Sequence, residues 1–199
     1  MSITLIAGLG NPGREYTATR HNLGFTVVEA LAAAEGLSWQ HEARFHADIA
    51  RWNVRPGVTR WLVKPQTYMN DSGRALRLLL DFHKLPVDAL AVAYDDLTIE
   101  IGRIKVTESG SAGGHNGVAS LIDQVGNGFA RYRLGIASLR PAEMDIKDFV
   151  LGKFTEDEKI IIQQQLTRFV AGLRLLIESG SALAMNSLNR REKNDTDQA

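Results

Sequence analysis

The feature that most limits how this chain can fold is an alternation of two periods. Short apolar runs at residues 3–9 and 89–94 read as strands, the second a buried one, and residues 132–137 read as another. Between them, apolar residues recur at helical spacing: Phe25, Val28, Leu31 and Ala32 in one stretch, Leu76, Leu79, Leu80 and His83 in another. Strands and helices interleaved in this way predict an α/β domain, a twisted sheet sandwiched between helices. Residues 45–52 and 58–63 alternate about Pro56-Gly57 and read as a hairpin, which makes the sheet mixed rather than purely parallel. The helix after the 64–70 loop is expected to start at Asp71 or Ser72, either a suitable cap. The strand at 89–94 is expected to end at the acidic pair Asp95-Asp96, and residues 101–106 alternate as another strand. A helix is expected over 118–125. Thr155-Glu-Asp-Glu158 is a capping box that opens a longer one to about residue 178. No repeat or linker divides the chain. The domain is read as 1–189, with a polar tail at 190–199 that frays.

Composition closes off several chemistries. At 199 residues the chain can bury a core without covalent staples, and it has no cysteine. Disulfides, thiolate metal sites and a cysteine nucleophile are excluded, and a reducing compartment suits it. No basic residue precedes the apolar run at 3–9, which is too short for a signal segment or a membrane span. A cytoplasmic protein without a membrane partner is therefore expected. Lys plus Arg number 23 against 23 Asp plus Glu, so overall charge does not point to nucleic acid. If RNA binds, it must use a local patch.

Gly8-Leu-Gly10-Asn-Pro-Gly13 after the first strand fits G-x-G-x-x-G. A dinucleotide-binding turn would take Glu29 or Glu35 as its ribose acid. That motif needs a helix opening inside the glycine turn to hold pyrophosphate. Here Pro12 disfavours helical geometry at Asn11, and helical periodicity begins only near Asn22. The glycines are read instead as a sharp turn presenting Asn11 and residues 16–21 to a cleft.

Of the five histidines, His41, His46 and His83 carry no functional pattern: the first two lack a carboxylate pattern for a metal, and His83 closes a helix. His21 ends a polar loop at the carboxyl edge of a strand, where α/β proteins place their sites. Three more polar segments follow strands or glycines: Lys64-Pro-Gln-Thr-Tyr-Met-Asn70, Asp95-Asp96 and Gly113-Gly-His-Asn-Gly117. Any one asparagine can simply suit a turn. Asn11, Asn70 and Asn116 together, with a histidine and an aspartate, suggest amides that hold a peptide or an oxyanion. Without a nucleophilic cysteine or a clear nucleophilic serine, the chemistry implied is attack by water, with a histidine base and an aspartate that orients it.

Leu9-Gly-Asn-Pro-Gly13, Tyr16 and Thr19-Arg-His-Asn22 resemble the N-terminal signature of the bacterial peptidyl-tRNA hydrolases. Lys64-Pro-Gln-Thr-Tyr-Met-Asn70 with Ser72-Gly73 is similar to their second motif. Asp95-Asp-Leu97, Gly102-Arg-Ile-Lys105, Gly110-Ser-Ala-Gly-Gly-His-Asn-Gly117, Arg133-Leu-Gly-Ile136 and Phe149-Val-Leu-Gly-Lys-Phe154 match the later blocks in order. The resemblance covers about residues 3–185. It implies a single α/β domain, usually monomeric, that hydrolyses the ester joining a peptide to the 3′ end of tRNA, without cofactor or metal, and spares aminoacyl-tRNA with a free amine. Carried over by resemblance, the catalytic set is His21 as general base, Asp95 as its partner and Asn11 beside them. Tyr16, Tyr68, Met69, Asn70, His115 and Asn116 are implied to bind substrate, and Lys105 and Arg133 to clamp tRNA phosphate. Tyr94 stands where many members have histidine, a packing difference; Thr107-Glu108-Ser109 is less basic or glycine-rich than in many, and with the neutral overall charge this implies weaker electrostatic capture of RNA. A non-catalytic RNA-binding relative, such as the organellar splicing factors of the superfamily, is the alternative; it would not need this polar set.

Overall fold

The computed structural model describes residues 3–138 and 143–190. Seven strands form one mixed sheet: β1 (Leu5–Gly8), β2 (Trp39–Glu42), β3 (Ala47–Arg55), β4 (Val58–Pro65), β5 (Leu90–Glu100), β6 (Ile104–Thr107) and β7 (Ala130–Ala137). Their order is β2-β3-β4-β1-β5-β7-β6. The middle four, β4, β1, β5 and β7, run parallel, while β2–β3, β3–β4 and β6–β7 are antiparallel. The parallel strands are buried on both faces, which is why β1 and the start of β5 read as unbroken apolar runs.

Helices α1 (Leu23–Ala34) and α5 (Glu156–Leu188) cover one face, and α2 (Ser72–His83) and α3 (Asn116–Val125) cover the other. A short α4 (Ile146–Leu151) closes one end. Val27, Val28 and Leu31 of α1 pack with Phe169, Leu173 and Leu176 of α5 in one core cluster. Leu76, Leu79 and Leu80 of α2 meet Val118 and Leu121 of α3 in the other. Helix α1 lies directly on the end of β1: a Cβ on Gly8 would stand 2.3 Å from the Gly24 carbonyl oxygen, and one on Gly10 would stand 2.7 Å from the Phe25 ring. Gly8 and Gly10 therefore serve close packing, while Gly13, at φ 112°, makes a sharp turn. Gly13 leads only into a 3-10 turn at Arg14–Tyr16, and α1 opens at Leu23. Glu29 pairs with Lys64 and Glu35 with Arg174, so neither stands free for a ribose.

Several boundaries differ from the sequence reading. Strand β5 does not stop at Asp95-Asp96 but runs on to Glu100, pairing Asp95 with Leu134 and Asp96 with Gly135 of β7. Thr98 ties the bend to Asp96 through both its N–H and its hydroxyl. Strand β6 is only four residues long, and β2 and α4 carry too little periodicity to be read. Asp71 holds the cap position of α2, but its side chain accepts no cap hydrogen bond and faces Arg74 instead. The Thr155–Glu158 capping box is complete, and the helix continues past residue 178, through a break at Gly180, to Leu188. Asn189 then turns its amide onto the outer edge of β6, accepting from the Val106 N–H at 2.7 Å and donating to its carbonyl at 2.9 Å. The tail at 191–199 lies outside the described residues. Among the described residues, no helix is long and apolar enough to cross a membrane.

Candidate functional site

A cleft of about 810 Å³ opens beyond the carboxyl ends of the parallel strands. Strand β1 delivers Asn11, β4 delivers Tyr68, Met69 and Asn70, and β5 delivers Tyr94, Asp95 and Asp96. The glycine loop between β6 and α3 supplies the facing wall with His115 and Asn116, and α4 closes the end with Ile146, Val150 and Leu151. Because Gly8 pairs with Ala93, Asp95 projects two residues past the end of β1 into this space.

His21 sits in a 3-10 turn, Arg20–Asn22, that is fixed from both sides. The Arg20 N–H donates to the Gly152 carbonyl, and its buried guanidinium donates to Glu158 at 2.6 Å and to the Phe149 carbonyl at 3.2 Å, 4.2 Å over the Phe149 ring. Asn22 forms a reciprocal pair with the backbone of Asn11, accepting its N–H at 2.8 Å and donating to its carbonyl at 3.0 Å. The side-chain oxygen of Asn11 accepts the Met69 N–H at 2.8 Å, which leaves the Asn11 NH₂ available to the cleft. Two amides thus tie the two ends of the β1–α1 connection to each other and to the loop after β4.

His21 Nδ1 lies 2.9 and 3.1 Å from the two oxygens of Asp95, leaving Nε2 as the free lone pair of a ring that lines the cleft. His115 Nε2 approaches the same carboxylate at 3.1 Å. Its Nδ1 accepts from the N–H groups of Gly117 and Val118, capping α3. Burial alone would push the Asp95 carboxyl up, but the charge and hydrogen bonds of His21 and His115 outweigh it and hold it well below the usual carboxylate range. Among the described residues, His21, Asp95 and His115 form the one group close enough to chelate a cation. The donor set does not fit. His115 Nδ1 is committed to two N–H donors, so the ring proton stays on Nε2, the atom that would have to ligate.

The other implied residues divide. Tyr68, Asn70 and Asn116 are exposed on the cleft rim and Met69 is buried beneath them. Tyr16 is not brought into the cleft; its carbonyl instead accepts the Thr19 hydroxyl at 2.8 Å. Arg133 reaches the cleft but is ion-paired to Asp96 at 2.7 Å. Lys105 stands opposite Arg133 in the β6–β7 register, exposed, outside the cleft lining. His41 does find a carboxylate, Asp48 at 2.9 Å across β2–β3.

The roles of three positions went unread in the sequence. Asn22 and Arg20 stand in the Thr19-Arg-His-Asn22 motif beside His21, and that motif was their signal. Arg131 is buried and holds the glycine loop by its Ser111 and Gly110 carbonyls at 2.7 and 2.6 Å. Its place two residues before Arg133, on the same face of β7, was the available clue.

A family model described as peptidyl-tRNA hydrolase matches residues 5–196. A peptidyl-tRNA hydrolase of Anaeromyxobacter dehalogenans (strain 2CP-C) is 44% identical over 190 residues, covering 95% of this chain and 97% of its own. One from Gloeobacter violaceus (strain ATCC 29082 / PCC 7421) is 41% identical over 192 residues, covering 96% of each. The crystal structure of peptidyl-tRNA hydrolase from Acinetobacter baumannii superposes with a TM-score of 0.87 at 35% identity, again covering 96% of each chain. With its whole described fold and nearly its whole length matched in this way, the chain belongs to the peptidyl-tRNA hydrolase family.

Proposed function

We propose that the cleft hydrolyses the ester of peptidyl-tRNA by attack of a water molecule activated at His21 Nε2. The reaction class, a hydrolase acting on that ester, follows from the family. The observation that carries the mechanism is the His21–Asp95 contact, which occupies Nδ1 and leaves Nε2 as the base. As water attacks the ester carbonyl carbon, Nε2 takes its proton and the Asp95 carboxylate steadies the imidazolium. When the tetrahedral centre collapses, Nε2 returns the proton to the ribose oxygen, and the peptide leaves as a carboxylic acid that loses its remaining proton to solvent. The Asn11 NH₂ and the rim amides of Asn70 and Asn116 are the donors offered to the oxyanion and the peptide backbone. Lys105 and Arg133 bind acceptor-stem phosphate, Arg133 after exchanging part of its contact with Asp96.

The enzyme acts as a cytoplasmic monomer and needs no cofactor. The test is release of N-acetyl-amino acid from N-acetylaminoacyl-tRNA in EDTA, beside the unblocked aminoacyl-tRNA. Fast release from the blocked substrate alone, unchanged by the chelator, is the expected result. Loss of activity in EDTA overturns the metal-free mechanism. Tight tRNA binding without hydrolysis overturns the catalytic reading.

A further inference from the structure

Asp95 receives two imidazole N–H groups, and chemistry makes them unequal. A backbone N–H can only donate, so His115 Nδ1, which accepts from Gly117 and Val118 at 3.1 and 3.3 Å, must present a lone pair. The proton of the neutral ring then lies on Nε2 and points at Asp95. Adding a second proton at Nδ1 would set an N–H against two N–H donors and uncap α3. It would also place a cation at a helix N-terminus, where the dipole opposes it. His21 carries no such restraint, since its Nε2 opens to the cleft.

We infer that His115 is a positioning residue, locked by the N-terminus of α3 as its Nε2–H tautomer, so that of the two imidazoles holding Asp95 only His21 can take up a proton. The inference rests on the reading of His21 as the base and adds to it the device that excludes a competitor 4.7 Å away, ring centre to ring centre. The titratable groups that face His115 are Asp95, His21 and Tyr94, the last edge-on at 5.0 Å. Asp96 on β5 and Arg131 and Arg133 on β7 act on the Tyr94 hydroxyl. The second N–H also shares out the Asp95 charge; without it, more of that charge falls on His21 and its imidazolium is stabilised further.

The first test is long-range ¹H–¹⁵N correlation of the full chain labelled at histidine nitrogens, from about pH 5.5 to about 8.5, the range in which free histidine titrates. His115 is expected to keep a protonated Nε2 and a bare Nδ1 throughout. A His115 that titrates in that range, or carries its proton on Nδ1, overturns the inference. The second test is His115→Asn, because asparagine caps a helix well but is too short to reach Asp95 as well. The expected result is the acidic limb of the pH–rate profile moved to higher pH, because more of the Asp95 charge then falls on His21. An unchanged profile overturns it. His21→Ala separates the two readings. If that variant is inactive while His115 titrates, only the lock fails; if it turns over normally, the base assignment fails and the lock with it.

Discussion

Asn11, His21 and Asp95 on the inner wall of the cleft, and Asn22 behind Asn11, are all buried, and each has a hydrogen-bonding partner within the protein. Tyr68, Asn70 and Asn116 on the rim, and Lys105 beside it, are exposed; Tyr68 shows 63% of its surface. The same few loops build both regions, so the difference is one of purpose. On the inner wall, dipoles and protons are oriented at folding, and no reorganisation is left for the moment of reaction. On the proposed reading, the rim leaves hydrogen-bonding capacity open for a peptide and an RNA end that must bind and depart. Chemistry would then depend on contacts inside the protein, and affinity on contacts not yet made.

The severest trial of this division is His21→Ala. Loss of a general base costs about 10²–10⁴ in rate. We expect turnover to collapse by that order while tRNA affinity, measured by titration, stays near wild type; a variant with near-normal turnover refutes the division. Lys105→Ala probes the other side and should do less. It is expected to weaken tRNA binding and lower the slope of log K against log salt by roughly 0.9, one phosphate contact, with kcat at saturating tRNA unchanged. An effect confined to kcat would move Lys105 out of the rim.

The smallest effect is expected from Glu158→Gln, which touches the support of the inner wall. Burial would raise the Glu158 carboxyl, but hydrogen bonds from Ser138, the Thr155 N–H and Arg20, together with the Arg20 charge, lower it. Its folded value therefore lies below its unfolded one. The stabilisation it gives is complete above the ordinary carboxylate range and is lost as pH falls through the lowered value. Wild type should be more stable than the variant near neutrality, and the gap in urea midpoint should narrow below about pH 4. A gap constant with pH would show that the carboxylate charge is not what holds Arg20.

Much of this division is legible in the amino-acid sequence. The alternation of apolar runs implies the layered class because buried parallel strands leave few alternatives. The hairpin follows from Pro56-Gly57, and the long helix from its capping box. His21 and Asp95 are marked by their places at strand ends and by resemblance, but 74 residues separate them, and only the β1–β5 register puts them in contact. What the sequence hides is what tertiary contacts decide. Strand β5 outruns its apolar stretch because β7 pairs with it and Thr98 satisfies Asp96. Arg133 reads as a free cation because Asp96 lies 37 residues away along the chain. The second donor to Asp95 stays hidden because helix capping by a histidine leaves no pattern that spacing can reveal.

The Asn189 amide bears on the assembly of the sheet. β6 is its last strand, and an open strand edge is a template on which a second copy can add. One side chain occupies the Val106 N–H and carbonyl as a neighbouring strand would, so a single residue after the final helix acts as a stop for strand addition. Asn189 thereby blocks that edge, and a version without its side-chain amide would offer the edge to its own copies.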